Sequence, residues 1–132
     1  MRILVVDDDF VSREKLKAIL APYGDVESAE DGEAAVRMFE AAHRAGTPFH
    51  LATMDVNMPC LPGGAAVQQF RAIENLRGIR EGEGAKVLMV SMRGDSRAVL
   101  SSFRFGCEGY VVKPVTPDNV GAALAKMGVA RN

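Results

Sequence analysis

A chain of 132 residues that is 48% hydrophobic and 25% charged has the make-up of one globular domain with its own core, which excludes a disordered segment. With 16 Lys and Arg against 17 Asp and Glu, its net charge of −1 leaves no electrostatic footprint for direct nucleic-acid binding. No apolar run reaches membrane-span length, and "ILVV" runs at once into acid, too short for a signal peptide, so the expected location is cytoplasmic.

Strand-type and helix-type segments alternate along the chain. Residues 2–6 (RILVV) read as a fully buried strand. A helix over 11–22 follows, with Leu16, Ile19, Leu20 and Tyr23 on one face and Gly24 past its end. "DVESA" at 25–29 predicts a short peripheral strand, and 32–45 a helix around Val36 and Phe39, stopped by Gly46. "FHLATMD" at 49–55 is a third strand, and beyond a Pro/Gly-rich loop 64–77 make a helix with Ala66, Phe70 and Ile73 inward. "RGIREGEGAK" reads as an exposed turn before the fourth strand, "AKVLMVS" at 85–91. Asp95 caps a helix over 96–105, ended by Gly106, and "EGYVVK" at 108–113 is the fifth strand. Thr116 caps the last helix, over 117–127, with Pro117 at its first position and Val120, Ala123, Leu124 and Met127 as its buried stripe.

Such alternation predicts an α/β fold, a five-stranded parallel sheet doubly wound as (βα)5, with ligands bound beyond the carboxyl ends of the strands. The polar residues gather at that edge. Asp7, Asp8 and Asp9 follow the first strand, Asp55 ends the third, Ser91 the fourth and Lys113 the fifth. Three adjacent carboxylates repel one another and resist desolvation, so folding alone does not favour them. Two readings are open: a solvated turn whose Asp residues cap the next helix, or a cation site. Asp8 and Asp55 offer hard oxygen ligands, too few to enclose an ion, which suits Mg2+ better than calcium or zinc. His43 and His50 stand away from this edge. A metal, a lysine and a hydroxyl converging on one carboxylate favour phosphoryl transfer to it, with Asp55 as nucleophile, Lys113 neutralising charge and Ser91 donating a hydrogen bond. Taking Lys113–Asp55 as a plain ion pair leaves the Asp cluster uncompensated.

In their order and spacing, "ILVVDDD", "MDVNMP", "VLMVS" and "GYVVKP" resemble the receiver domain of two-component response regulators, in particular the single-domain chemotaxis type. The resemblance spans nearly the whole chain and implies one receiver domain over 1–132, flavodoxin-like, with strand order 2-1-3-4-5. It implies Asp55 as the phospho-acceptor, supplied by the histidine of a sensor kinase or a phosphotransfer protein. Mg2+ would be bound by Asp8, Asp55 and the backbone carbonyl of Asn57, with Asp7 acting through a water. Ser91 and Lys113 stand at the family's phosphoryl-stabilising positions, and a cis peptide precedes Pro114. Asp9 lies outside this set and starts the first helix, where its charge suits the dipole. Ser91 and Tyr110, on neighbouring strands and the same side of the sheet, are the expected switch, altering protein binding on the face of 96–105, 108–113 and 117–127. Such a chain is a signalling domain rather than an enzyme, a monomer or a weak phosphorylation-linked dimer.

Three departures stand out. Pro62 in "CLPGG" replaces an acidic residue before the retained Gly63, the stretch 75–85 is longer than the shortest members need, and Arg93 occupies a position that in the family modulates phosphoryl lifetime. Rival folds fit less well. A haloacid-dehalogenase-type phosphatase needs a second Asp where Asn57 stands, and an amide cannot serve as general acid. A flavodoxin-like electron carrier needs a phosphate loop after the first strand, where carboxylates would repel the ligand. A pseudo-receiver scaffold does not call for intact Asp8, Asp55, Ser91 and Lys113. Cys60 and Cys107 fall at opposite sheet edges, too far apart for a disulfide, and Met54, Met58, Met89 and Met92 read as core or rim filler.

Overall fold

The computed structural model of the chain describes residues 1–131. Strands β1 (Arg2–Val6), β2 (Asp25–Ala29), β3 (Leu51–Asp55), β4 (Lys86–Ser91) and β5 (Gly109–Val112) form one parallel sheet in the order β2-β1-β3-β4-β5. Helices α1 (Phe10–Leu20), α2 (Gly32–Arg44), α3 (Gly63–Leu76), α4 (Ser96–Phe105) and α5 (Pro117–Lys126) connect and cover them.

The period-2 alternation of the strands splits the apolar residues into two cores. On one face Leu4, Val6, Ala52, Met54, Val87 and Met89 pack with Phe39 of α2 and Phe70 of α3, whose rings stack at 4.0 Å. On the other, Ile3, Val5, Leu51, Leu88 and Val90 pack with Leu16 and Leu20 of α1 and Val120 and Leu124 of α5. Side-chain caps start four helices: Asp9, Asp31, Asp95 and Thr116 each accept a hydrogen bond from a first-turn amide. At α5 the cap is reciprocal, since Asn119 Oδ1 also accepts from the Thr116 amide at 2.8 Å.

The expected elements are present, with shifted ends. The first helix stops at Leu20 and tightens into a 3-10 turn over Ala21–Tyr23, because Pro22 has no amide to continue the α ladder. The third strand begins at Leu51, two residues late; Phe49 is buried but unpaired, although the His50 amide already donates to the Arg2 carbonyl at 2.9 Å. In α2 the buried face is Ala35, Phe39 and Ala42, with Val36 at its margin. The Lys113–Pro114 peptide is cis, as expected.

The stretch before β4 is mostly exposed, as expected, but its end at Ala85 is tied to a charged cluster below the amino ends of β4 and β5. Arg71 Nη1 donates to Glu74 Oε1 and to the Ala85 carbonyl, both at 2.8 Å, and Arg71 Nη2 donates to the Gly106 carbonyl at 2.8 Å and to Glu108. The buried Glu74 completes the clasp by accepting from the Ala85 amide at 2.7 Å. A Cβ at Gly84 would lie 2.0 Å from Glu74 Oε2, so a side chain there would displace the clasped carboxylate. Burial raises the pKa of Glu108, and Arg71 pulls it back.

Candidate functional site

At the opposite edge the chain leaves β1 through Asp7, which is fully buried. The Asp7 amide donates to the Ala29 carbonyl at 3.2 Å, and its Oδ1 accepts from the Asp9 amide at 2.9 Å. These bonds fold the turn back so that Asp8 emerges exposed beside Asp7. Asp55, only 5% exposed at the end of the central strand, accepts from the Asn57 amide at 3.2 Å. Asp7, Asp8 and Asp55 each offer one carboxylate oxygen, all within 4.8 Å of one another. Lys113 Nζ lies 3.3 Å from Asp7 Oδ2 and 3.7 Å from Asp55 Oδ2.

Fully ionised, this set carries three negative charges against one positive. The stress appears on Asp55, whose pKa is pushed up to about 6, first by burial and then by the Asp7 charge, against the pull of Lys113 and the Asn57 amide. Asp7 Oδ2 is buried and accepts no hydrogen bond among the described residues. An all-oxygen set with two charges to spare, in which the buried Asp7 Oδ2 has only its ion pair with Lys113, fits a hard divalent cation.

The loop beyond Asp55 shows what Pro62 does. It takes the N-cap position of α3 without a side-chain cap bond, and Cys60 turns the chain at φ 68°, in the left-handed region. Gly63 is indispensable there, since a Cβ would sit 2.2 Å from the Asp55 carbonyl oxygen. Cys60 is exposed and Cys107 buried, both as free thiols, and burial pushes the Cys107 pKa up to about 12.

Ser91, buried at the end of β4, accepts through Oγ from the Arg93 amide at 3.1 Å. The half-buried Tyr110 pairs with Met89, placing it on the Ser91 side of the sheet, and its hydroxyl donates to the Arg93 carbonyl at 2.5 Å. Both expected switch residues therefore hydrogen-bond to the Arg93 backbone, Ser91 at its amide and Tyr110 at its carbonyl. The Arg93 guanidinium folds onto Asp95 through two bonds of 3.0 Å. One arginine of this edge escaped the sequence reading: Arg13, 8% exposed, whose Nη1 donates to the Asp7 carbonyl at 3.0 Å. Its signal was a charged residue in register with Leu16 and Leu20 on an apolar stripe.

The sequence model of the response regulator receiver domain matches residues 3–125. The chain belongs to the receiver family. The chemotaxis protein CheY of Bacillus subtilis is 32% identical over 127 residues, covering 95% of each chain. A probable transcriptional regulator, ycf27 of Cyanophora paradoxa, is 30% identical over 127 residues, but there the receiver spans only 47% of the relative. Among solved structures, CheY4 of Vibrio cholerae superposes with a TM-score of 0.76 at 26% identity, covering 96% of this receiver and 97% of that chain. The receiver domain of the histidine kinase CKI1 of Arabidopsis thaliana shares the fold with a TM-score of 0.82 at 24% identity, covering 98% of this chain and 90% of that one. Receivers are the signalling modules of two-component systems and bind Mg2+ at an acidic pocket, the character of the Asp7–Asp8–Asp55 cluster. No helix among the described residues of this receiver is long and apolar enough to cross a membrane.

Proposed function

We propose that residues 1–132 act as one phosphorylation-operated switch, with Asp55 as the acceptor of a phosphoryl group from a phosphohistidine of a sensor kinase or phosphotransfer protein. The observation that carries this reading is the placement of Asp55: a buried carboxylate of raised pKa at the end of the central strand, beside two more carboxylates and one lysine. In the ionised form, Asp55 attacks phosphorus. An O–P bond forms as the N–P bond of the donor breaks, and the departing imidazole takes up a proton. Asp8, Asp55 and the Asn57 backbone carbonyl would hold Mg2+, with Asp7 acting through a water; when bound, the metal supplies positive charge for the phosphoryl oxygens. Lys113 supplies a second positive charge from within the chain, and the Ser91 hydroxyl supplies a donor. The domain promotes its own phosphoryl transfer and loss and turns over no separate substrate.

The output follows from Ser91 and Tyr110. A phosphoryl oxygen draws the Ser91 hydroxyl inward through a charge-assisted bond, which disturbs its hold on the Arg93 amide and the Arg93 carbonyl held by Tyr110. Phosphorylation thereby favours one of two Tyr110 placements already close in free energy. The readout face is α4–β5–α5, where Leu100, Phe103 and Val112 are exposed and suit a protein target. The cytoplasm is the setting such a relay requires.

Incubation with a small phosphodonor and Mg2+ should add one acid-labile phosphoryl group, seen by mass. Asp55→Asn should remove it with the fold intact; full labelling of that variant, or none of the wild type, would overturn the reading. Tyr110→Ala should still be phosphorylated but lose most of the chemical-shift change on the α4–β5–α5 face. A wild-type response there would place the switch elsewhere.

A further inference from the structure

We propose that Arg13 is a positioning residue for the cation site, an inference that rests on the metal reading of Asp7, Asp8 and Asp55. Arg13 belongs to the first turn of α1 and shares its buried face with Leu16 and Leu20. A methionine or leucine there would complete the apolar stripe without the cost of burying a charge. What the guanidinium adds is a donor. Nη1 reaches back to the Asp7 carbonyl at 3.0 Å. Its other neighbours supply little: Glu30 Oε1 lies 3.8 Å from Nη2 on a side chain that is 81% exposed, and the Phe10 ring centre is 5.5 Å away. Among the described residues, Arg13 pairs with no carboxylate of the cluster.

This bond matters because of where it falls. Asp8 is exposed, and the peptide units on either side of it set its direction. The unit before Asp8 carries the Asp7 carbonyl, held by Arg13; the unit after it carries the Asp9 amide, held by Asp7 Oδ1 at 2.9 Å. Both hinges of the residue are thus clamped, one from α1 and one from within the turn. Losing the first clamp frees the Asp7–Asp8 peptide to rotate and carries the Asp8 carboxylate away from its 4.8 Å grouping. Charge alone gives the opposite sign. Removing a cation from beside three carboxylates would strengthen their attraction for Mg2+.

The two effects separate in an Mg2+ titration of the full chain by calorimetry, using the wild type, Arg13→Met and Asp8→Ala. Groups that orient metal ligands from behind are worth 10- to 100-fold in affinity, and a clamp acting through the backbone belongs at the lower end. Arg13→Met should therefore bind Mg2+ about tenfold more weakly, while its phosphorylation rate at saturating Mg2+ returns to within about twofold of the wild type. A general packing defect would depress that limiting rate as well. Binding by Arg13→Met that equals or exceeds the wild type overturns the proposal, as does a limiting rate that stays low. If Arg13→Met does not fold, Arg13→Leu, which likewise removes the donor, decides alone: weaker Mg2+ binding supports the clamp, equal or tighter binding overturns it. Asp8→Ala keeps the two readings apart. If it binds Mg2+ like the wild type, the metal reading itself fails; if it loses Mg2+ while Arg13→Met does not, only the clamp fails.

Discussion

The two edges of the sheet each bury a group of charges, and they treat them oppositely. Below the amino ends of β4 and β5, Arg71 is saturated by two carboxylates and two carbonyls, and Glu74 spends its second oxygen on the Ala85 amide. Beyond the carboxyl ends, three carboxylates gather beside one lysine that reaches only Asp7 and Asp55, and Asp7 Oδ2 has this ion pair but no hydrogen bond among the described residues. Satisfied buried charge holds structure together, whereas unsatisfied buried charge stores a demand that a ligand can meet. The first edge is a clasp and the second a site.

Breaking the clasp should give the largest effect. Glu74→Ala strips Arg71 of one carboxylate and the Ala85 amide of its acceptor, and should cost about 3–5 kcal/mol in a denaturant titration. Phosphorylation of Asp55, on the other edge, should stay near wild type once the variant is folded. A loss of labelling in folded protein would mean that the edges are coupled.

Meeting the demand at the site should come next. A cation that binds only the folded form stabilises it by about 2.7 kcal/mol at a hundredfold excess over its dissociation constant. Mg2+ should raise the Tm of the wild type and raise that of Asp8→Ala much less; equal shifts would count against Asp8 as a ligand.

The same demand should show as a pH dependence without metal. The Asp55 pKa is about 6 folded against an ordinary 3.8, so between these values the folded chain binds the proton more tightly than the unfolded one. The contribution of Asp55 to stability is then most favourable below about pH 4 and is lost as pH rises through about 6. In chelator at pH 7, Asp55→Asn should be more stable than the wild type by at most about 3 kcal/mol, less what the lost Lys113 ion pair contributed, with the gap closing toward pH 4. A gap that does not change with pH would remove the electrostatic account.

The smallest effect belongs to a group tied to neither edge's central charge. Asp95 caps α4 and receives the Arg93 fork at the surface, so Asp95→Ala should lower the Tm only slightly in thermal melting. An unchanged Tm would show that the exposed fork and cap contribute nothing to the loop.

Much of the site was legible because a parallel sheet sends all its carboxyl ends to one edge. Asp7, Asp8, Asp55, Ser91 and Lys113 needed only correct strand assignments to converge. Arg13 and Arg71 were not legible in this way. Each is a long side chain on a helix whose head group reaches a backbone carbonyl in another element, and that reach depends on packing angles that periodicity does not encode. Glu74 was hidden for the same reason: among Asn75, Leu76 and Arg77 it reads as one more surface residue, yet it is 5% exposed. Element ends moved where local chemistry overrode the pattern, as at Pro22, where a helical stripe continued past the last possible α bond.

The central position of β3 has a thermodynamic consequence. Its neighbours are β1 on one side and β4 on the other, so the residue at its tip faces both. The carboxylates proposed to hold the cation arrive from the β1 side, and the hydroxyl proposed to answer phosphorylation arrives from β4. Under the proposed switch, Asp55 is the common term in two equilibria, and reciprocity then binds them. Whatever free energy the metal contributes to the state with Ser91 drawn inward, a partner that captures that state on the α4–β5–α5 face must return as tighter metal binding. A phospho-acceptor on an edge strand would have had one neighbour and could have joined only half of this cycle.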